Sequence, residues 1–282
     1  MKYTAWRESS KLRFFKTGRV LQIFSFFRRF RIVWKGLTSH AKISLKWLVS
    51  TNSNTNFDYE ISLMSQKYGL NQISRIFQVP FVEVLKFANE LEEDLELQSF
   101  LIHQIDASPI FGILPSKVIW GRRIFWYVIV RILEPDIVVE TGTDKGLGSA
   151  VIGRALSKNG KGKIISVDLR PPRGFVMPDD KFGLPIEFGT ENSIEYLRKS
   201  TSQIDIFLHD SNHEYEYEYA ELSEAYELPS ERGLLLSDNS NQSTALFDFA
   251  LSHGMSFENL RNSPTQYPFE EISLGIARME SK

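Results

Sequence analysis

The sequence predicts an α/β fold: a doubly wound, mostly parallel sheet with a helical extension ahead of it. Two observations carry this. From about Ala107 onward, short apolar runs alternate with helical patterns, as in a parallel sheet covered on both faces. The residues before that point read as a basic arm, a polar linker and helices. A chain of 282 residues, 42% hydrophobic and 24% charged, is long enough for one full domain plus a smaller attached part. It contains no cysteine, which excludes disulfides, thiolate metal sites and cysteine nucleophiles.

The first zone is residues 1–50. It holds twelve lysines and arginines against one acid, Glu8, a net of +11, so the rest of the chain carries −13 of the total −2. A basic arm on an acidic body points to an anionic partner, a membrane surface included. On a helical wheel Val20, Ile23, Phe24, Phe27, Phe30 and Trp34 share a face, with Arg28, Arg31 and Lys35 beside it. That pattern suits a surface-seeking amphipathic helix; the alternative is a helix packed on its own protein with arginines reaching water. The apolar stretch Val20 to Phe27 is far short of the roughly 20 residues that span a bilayer. No small-residue cleavage site follows it, so the expected location is cytoplasmic, with peripheral membrane contact through the arm.

The second zone, residues 51–106, opens on the polar linker of residues 50–56 and continues as helices. Ile61, Met64, Tyr68 and Leu70 recur near helical spacing, as do Val82, Leu85, Phe87, Leu91 and Leu95. The run Glu90, Glu92, Glu93, Asp94 and Glu96 reads as a solvated helix face. The third zone, residues 107–282, supplies strands at 136–140, 163–168, 185–188, 205–210, 233–238 and 271–278. Helices are expected at 147–156, 192–200, 214–228 and 242–252, and a further one from Arg122 to Leu133 either roofs a pocket or belongs to the core.

In an open α/β sheet a ligand sits beyond the carboxyl ends of the strands, so the residues just after each strand carry the functional signal. After the first strand comes a turn with Gly142, Gly146 and Gly148, which lets backbone approach a ligand closely and lacks the G-x-G-x-x-G dinucleotide cradle. Asp168 ends the second strand, 28 residues after Glu140. A carboxylate there suits the two hydroxyls of a ribose, or simply caps the loop. Asn192 and Ser193 follow the third strand and also suit a helix N-cap. Asp210 ends the fourth strand, and Asp238 and Asn239 end the fifth. Two carboxylates and an amide on neighbouring strand ends suit a hard cation such as Mg²⁺. His213 stands on the same rim, where a neutral imidazole takes a proton from a hydroxyl. The competing reading is that Asp and Asn at strand ends are ordinary turn formers.

The stretches Val138 to Ser149 and His209 to Tyr215, with Asp168 and Ser237 to Asn239 in order, resemble the class I S-adenosylmethionine-dependent methyltransferase superfamily. The likeness is to small-molecule O-methyltransferases with an H-D-S-x-H motif and covers about residues 118–280. It implies a seven-stranded Rossmann-like sheet with a reversed last strand. It implies that Glu140, Gly142, Thr143, Gly146, Gly148 and Ser149 meet the methionine part of S-adenosyl-L-methionine. Asp168 would hold the ribose, and Asn192, Ser193 and His209 complete the cofactor contacts. Asp210, Asp238 and Asn239 look like the metal ligands of catechol-type enzymes, with His213 and Asp210 catalytic. In such enzymes a lysine often stands where this chain has His213. The acceptor implied is a hydroxyl of a small molecule, sugar or glycolipid, and a homo-oligomer is left open.

Two other readings compete. The basic arm suggests a nucleic-acid methyltransferase, but the amino-methylating signature of Asn or Asp, two prolines and an aromatic is missing after the fourth strand, so nucleic acid is disfavoured. A non-catalytic protein that binds cofactor or a partner through the same fold is the other.

Overall fold

The computed structural model describes residues 3–50, 60–110, 112, 114, 117–176, 182–265 and 271–278; for residues 3–21, 47, 50, 231 and 232 only the backbone is described. Residues 1–50 form a unit apart from the remainder of the chain. That unit is one helix, α1 (Tyr3–Ser50). Ile23, Phe24, Phe27, Phe30 and Trp34 are all exposed on it, and Phe26, Phe30 and Trp34 stack one turn apart. The side chain of Val20 and the linker beyond Ser50 lie outside the described residues. Among the described residues, no helix is long and apolar enough to cross a membrane.

Three helices follow: α2 (Leu63–Ile76), α3 (Phe81–Glu92) and α4 (Leu95–Ala107). Ser62 and Asp94 cap the starts of α2 and α4 with side-chain oxygens, satisfying amides that the helix leaves open. The faces they bury differ from the expected ones. Leu70, Ile73 and Ile76 of α2 and Val84, Ala88 and Leu91 of α3 turn inward. Met64, Tyr68, Val82 and Leu95 are exposed. The acidic run is likewise more than a solvated face. Glu90 accepts from Tyr127 and from the Arg131 guanidinium at 2.8 Å. Asp94 accepts from Arg154 at 2.7 Å while capping α4. Both carboxyls are held below their ordinary range, because these donors outweigh the cost of burial.

The sheet has seven strands in the order β3-β2-β1-β4-β5-β7-β6. They are β1 (Ile137–Thr141), β2 (Lys163–Asp168), β3 (Ile186–Thr190), β4 (Ile204–His209), β5 (Pro229–Asp238), β6 (Ser256–Asn262) and β7 (Ile272–Arg278). β1 to β5 are mutually parallel, and β7 runs antiparallel to both β5 and β6. This is a seven-stranded Rossmann-like sheet with a reversed last strand, as the resemblance implies. α5 (Arg123–Leu133) precedes the sheet, and the helices between its strands are α6 (Leu147–Asn159), α7 (Ser193–Lys199), α8 (Tyr215–Tyr226) and α9 (Ala245–Ser252). One apolar layer joins α2 to α6 with one sheet face; a second joins α7, α8 and α9 with the other. Of the two readings for the helix from Arg122, core holds for its body: Arg123 through Val130 are all buried. It stops at Glu134, left-handed with φ 46°, ahead of Pro135. The strand β6 was not foreseen. Only Leu260 and Asn262 of it are buried, so it lacks the apolar alternation that marks a strand.

Candidate functional site

Strand order reverses between β1 and β4, which sets the glycine turn of β1 beside the loop that follows β4. The three glycines are required by the protein's own atoms. At Gly142, with φ 89°, an added Cβ would lie 2.0 Å from the Asp210 carbonyl oxygen. At Gly148 it would meet Glu140 Oε1 at 2.5 Å and the Trp126 ring at 2.8 Å. Gly146, with φ 82°, faces Val176 and Pro172. Those two belong to a strap, Pro171–Val176, lying over the turn. Phe175 is fully buried in it, donating its backbone N–H to Lys145 O at 2.7 Å, and Ser108 Oγ donates to Arg173 O at 2.7 Å. The cleft left between turn and strap is about 30 Å³ and is lined by Glu140, Gly142, Thr143, Lys145, Phe175 and Asp210, among others.

Glu140 is buried beneath this turn, accepting from Ser149 and, at 2.6 Å, from Ser166. Burial pushes its carboxyl up to about 7, against the pull of these hydroxyls and of Arg123. Thr143 Oγ1 shares a 2.7 Å hydrogen bond with Ser166 Oγ. Asp168 accepts from the backbone N–H of Asp144 at 3.0 Å and of Arg170 at 3.2 Å, so it caps its loop and still has oxygen lone pairs for a diol. Asn192 caps α7 through Glu195 N at 3.1 Å. Ser193 points the other way, to Tyr217 at 2.9 Å and to Glu221.

Glu221 is the hub of a buried network that sequence reasoning missed. Its carboxylate accepts from Thr141 at 2.8 Å and from Ser211 at 3.0 Å, as well as from Ser193. It also bonds His209 Nδ1 at 2.6 Å. Glu218, one turn earlier, accepts from Ser237 at 2.6 Å. The i, i+3 spacing of the two acids on one helix face was the available signal, masked by the acid-rich composition of α8. His209 is fully buried, with its ring edge-on to His213 at 5.2 Å.

The ends of β4 and β5 do bring Asp210, His213, Asp238 and Asn239 together. His213 Nε2 lies 3.0 Å from Asn239 Nδ2 and 3.9 Å from Asp210 Oδ1. Asn239 holds φ 54°, a left-handed turn that an asparagine tolerates. Burial lowers the pKa of His213, keeping the imidazole neutral and able to accept a proton. Burial, and then the charge of Asp238, raise Asp210 well above the carboxylate range. Asp238 is lowered: its burial is outweighed by the Arg122 guanidinium.

Arg122 was not foreseen in this role, and it changes the metal expectation. Its Nε and Nη2 clasp the two carboxylate oxygens of Asp238, with side chains 4% and 0% exposed. Asp238 thus turns both oxygens to a cation already in place, and Asn239 turns its amide to His213. Asp210, Asp238 and Asn239 in this arrangement do not fit a hard dication such as Mg²⁺, which needs their oxygens directed at one point. No group of three or more His, Asp or Glu among the described residues is disposed to hold a metal ion.

Among the described residues, buried polar atoms without a hydrogen-bond partner include His209 Nε2, Asp210 Oδ1, His213 Nδ1 and Glu218 Oε2 at or beside these strand ends. Such atoms are uncommon in a folded interior, and each calls for a partner from outside the fold or a chemical role. One residue past Asn239, a cavity of about 670 Å³ opens between α9 and β6. Ser240, Thr244, Phe247, Asn259 and Ser273 are among its lining residues.

Residues 139–240 match the methyltransferase-domain family. That stretch runs from the middle of β1 to just past β5, so it takes in the glycine turn, Asp168, Asp210, His213 and Asn239. No curated protein sequence matches the chain. Among solved structures, an O-methyltransferase from Bacillus cereus in complex with SAH aligns at a TM-score of 0.50 and 13% identity, over 64% of this chain and 91% of that one. A Klebsiella pneumoniae protein described as a candidate O-methyltransferase aligns at 0.51 and 14%, over 64% and 90%. At such identities the likeness is one of fold. The chain thus contains a stretch similar to a methyltransferase domain, set in the fold of these structures.

Proposed function

We propose that the chain methylates a hydroxyl group of a small molecule, with S-adenosylmethionine as donor. The observation that carries this is the cluster of unpartnered buried polar atoms around Asp210 and His213, beside the glycine turn of a methyltransferase-domain match. The cofactor would lie along the ends of β1, β2 and β3. Its methionine part would meet Gly142, Thr143, Gly146 and Gly148, over Glu140 and Ser149. Asp168 would accept from the ribose hydroxyls, and Asn192, Ser193 and His209 would border the adenine end. The cleft between turn and strap would receive only the methionine end of this ligand, with Asp168, Asn192 and Ser193 outside it.

When bound, S-adenosylmethionine supplies an electrophilic methyl group, and what the protein adds is alignment and proton removal. His213 is the base. For its Nδ1 to accept the hydroxyl proton, Nε2 must carry the ring hydrogen and donate it to the Asn239 carbonyl. The Asn239 amide then turns over to present its oxygen to Nε2, an exchange of amide oxygen and nitrogen in place. Asn239 is then a positioning residue and His213 the catalytic one. Asp210, raised by burial and by Asp238, bonds Asp238 through its side chain and borders the acceptor oxygen. The cavity beyond Asn239 combines hydroxyl and amide side chains with an exposed Phe247 face, the chemistry that receives a polyhydroxylated acceptor such as a sugar.

The test is transfer of label from the donor methyl group to a panel of phenols, sugars and glycolipids. His213→Ala should lower turnover by about 100-fold or more, within the usual range for a general base, while donor binding by calorimetry is unchanged. Wild-type turnover in that variant would remove His213 from the mechanism.

A further inference from the structure

We infer that the Arg122 guanidinium stands in the place a divalent cation would take, so that this site works without a metal. The inference rests on the methyltransferase reading only for the word "works"; the cation's place is a matter of geometry. Arg122 lies at the start of α5, a helix whose next eight residues are buried, so its backbone is fixed. Arg123 N bonds Trp120 O at 3.1 Å and Phe125 N bonds Arg122 O at 2.9 Å, locking the turn that carries it. From there it reaches across 116 residues of sequence to Asp238. The planar fork of a guanidinium matches both oxygens of a carboxylate at once, and its charge is permanent. The pair is almost wholly buried, which is the setting in which such a bond is least exchanged with water.

A dication approaching Asp238 would have to displace this buried guanidinium from both of its oxygens. The reverse is also implied. Without Arg122, Asp210, Asp238 and Asn239 would stand at neighbouring strand ends with oxygens to spare, and a hard cation could enter. Arg122 therefore holds Asp238 in place and supplies the positive charge beside the acceptor oxygen. It is a positioning residue, acting through Asp238 and on the field at the rim.

Mn²⁺ is the probe, because the free aquo ion has a paramagnetic resonance signal that disappears on binding. Neither arm needs an acceptor. Wild-type full-length protein should leave the signal of submillimolar Mn²⁺ unchanged, and its melting temperature should not move with Mn²⁺. Arg122→Ala should bind one equivalent and gain thermal stability from it; Arg122→Gln, closer in shape, serves if the alanine variant does not fold. Replacing Asp238 by Asn in the same variant should abolish the gain. Stoichiometric Mn²⁺ binding by the wild type, lost in Asp238→Asn, would overturn the inference, as would folded Arg122 variants that gain no binding. Calorimetry with S-adenosylmethionine on the same samples separates the two claims. Absent donor binding would count against the methyltransferase reading and leave the cation result standing.

Discussion

Glu140 shows how far a single residue could be read from the sequence. Its place at the end of β1 was legible because an acid closing an apolar run is conspicuous. Its chemistry was not, because that depends on Ser149 and Ser166 and on complete burial. With the folded carboxyl near 7 against an ordinary 4.5, the folded state keeps a proton that the unfolded chain loses. The stability this provides is full below about 4.5 and is lost as pH rises towards about 7. Glu140→Gln abolishes that dependence. Denaturant unfolding should show wild type losing about 3 kcal/mol relative to the variant between pH 4.5 and 7.5; parallel curves would show an ordinary carboxylate. Arg122 is the opposite case. The sequence placed it at a helix start, where arginines normally reach water, and nothing local distinguishes one that reaches Asp238.

Among elements, those legible in advance were the ones whose burial is written in their own residues. β1, β2 and β4 each carry an apolar run and are buried on both faces. β6 is polar and at the sheet edge, and α3 and α8 carry acids that turn inward to partners far along the chain. Periodicity cannot reveal a partner on another element. Between Ile23 and Lys35 the α1 helix keeps apolar side chains and arginines exposed together, which fits an anionic membrane surface. Full-length protein should sediment with vesicles containing phosphatidylglycerol and not with phosphatidylcholine alone. At roughly 1 kcal/mol for each basic residue near the surface, changing Arg28, Arg29, Arg31 and Lys35 to Gln should weaken binding on the order of a thousandfold. Equal sedimentation with neutral vesicles, or no loss in the variant, would contradict that role.

For the whole molecule, alternation of strand and helix was enough for every strand of the sheet but β6, and motif order named the edge where the ligand is proposed. What sequence order does not carry is which groups face one another across that edge. The guanidinium on Asp238, the Glu221 hub under His209 and the strap over Gly146 all join residues from distant crossovers. They turn an expected metal centre into a protonated and ion-paired rim beside a covered turn. The account stands on that turn being a cofactor seat, so the deciding measurement is titration calorimetry of S-adenosylmethionine into wild type and Asp168→Ala. One equivalent should bind to wild type, and losing the ribose contacts should weaken it by roughly 10- to 100-fold, the cost of hydrogen bonds to a charged group. Absence of binding by wild type of both S-adenosylmethionine and S-adenosylhomocysteine would contradict it.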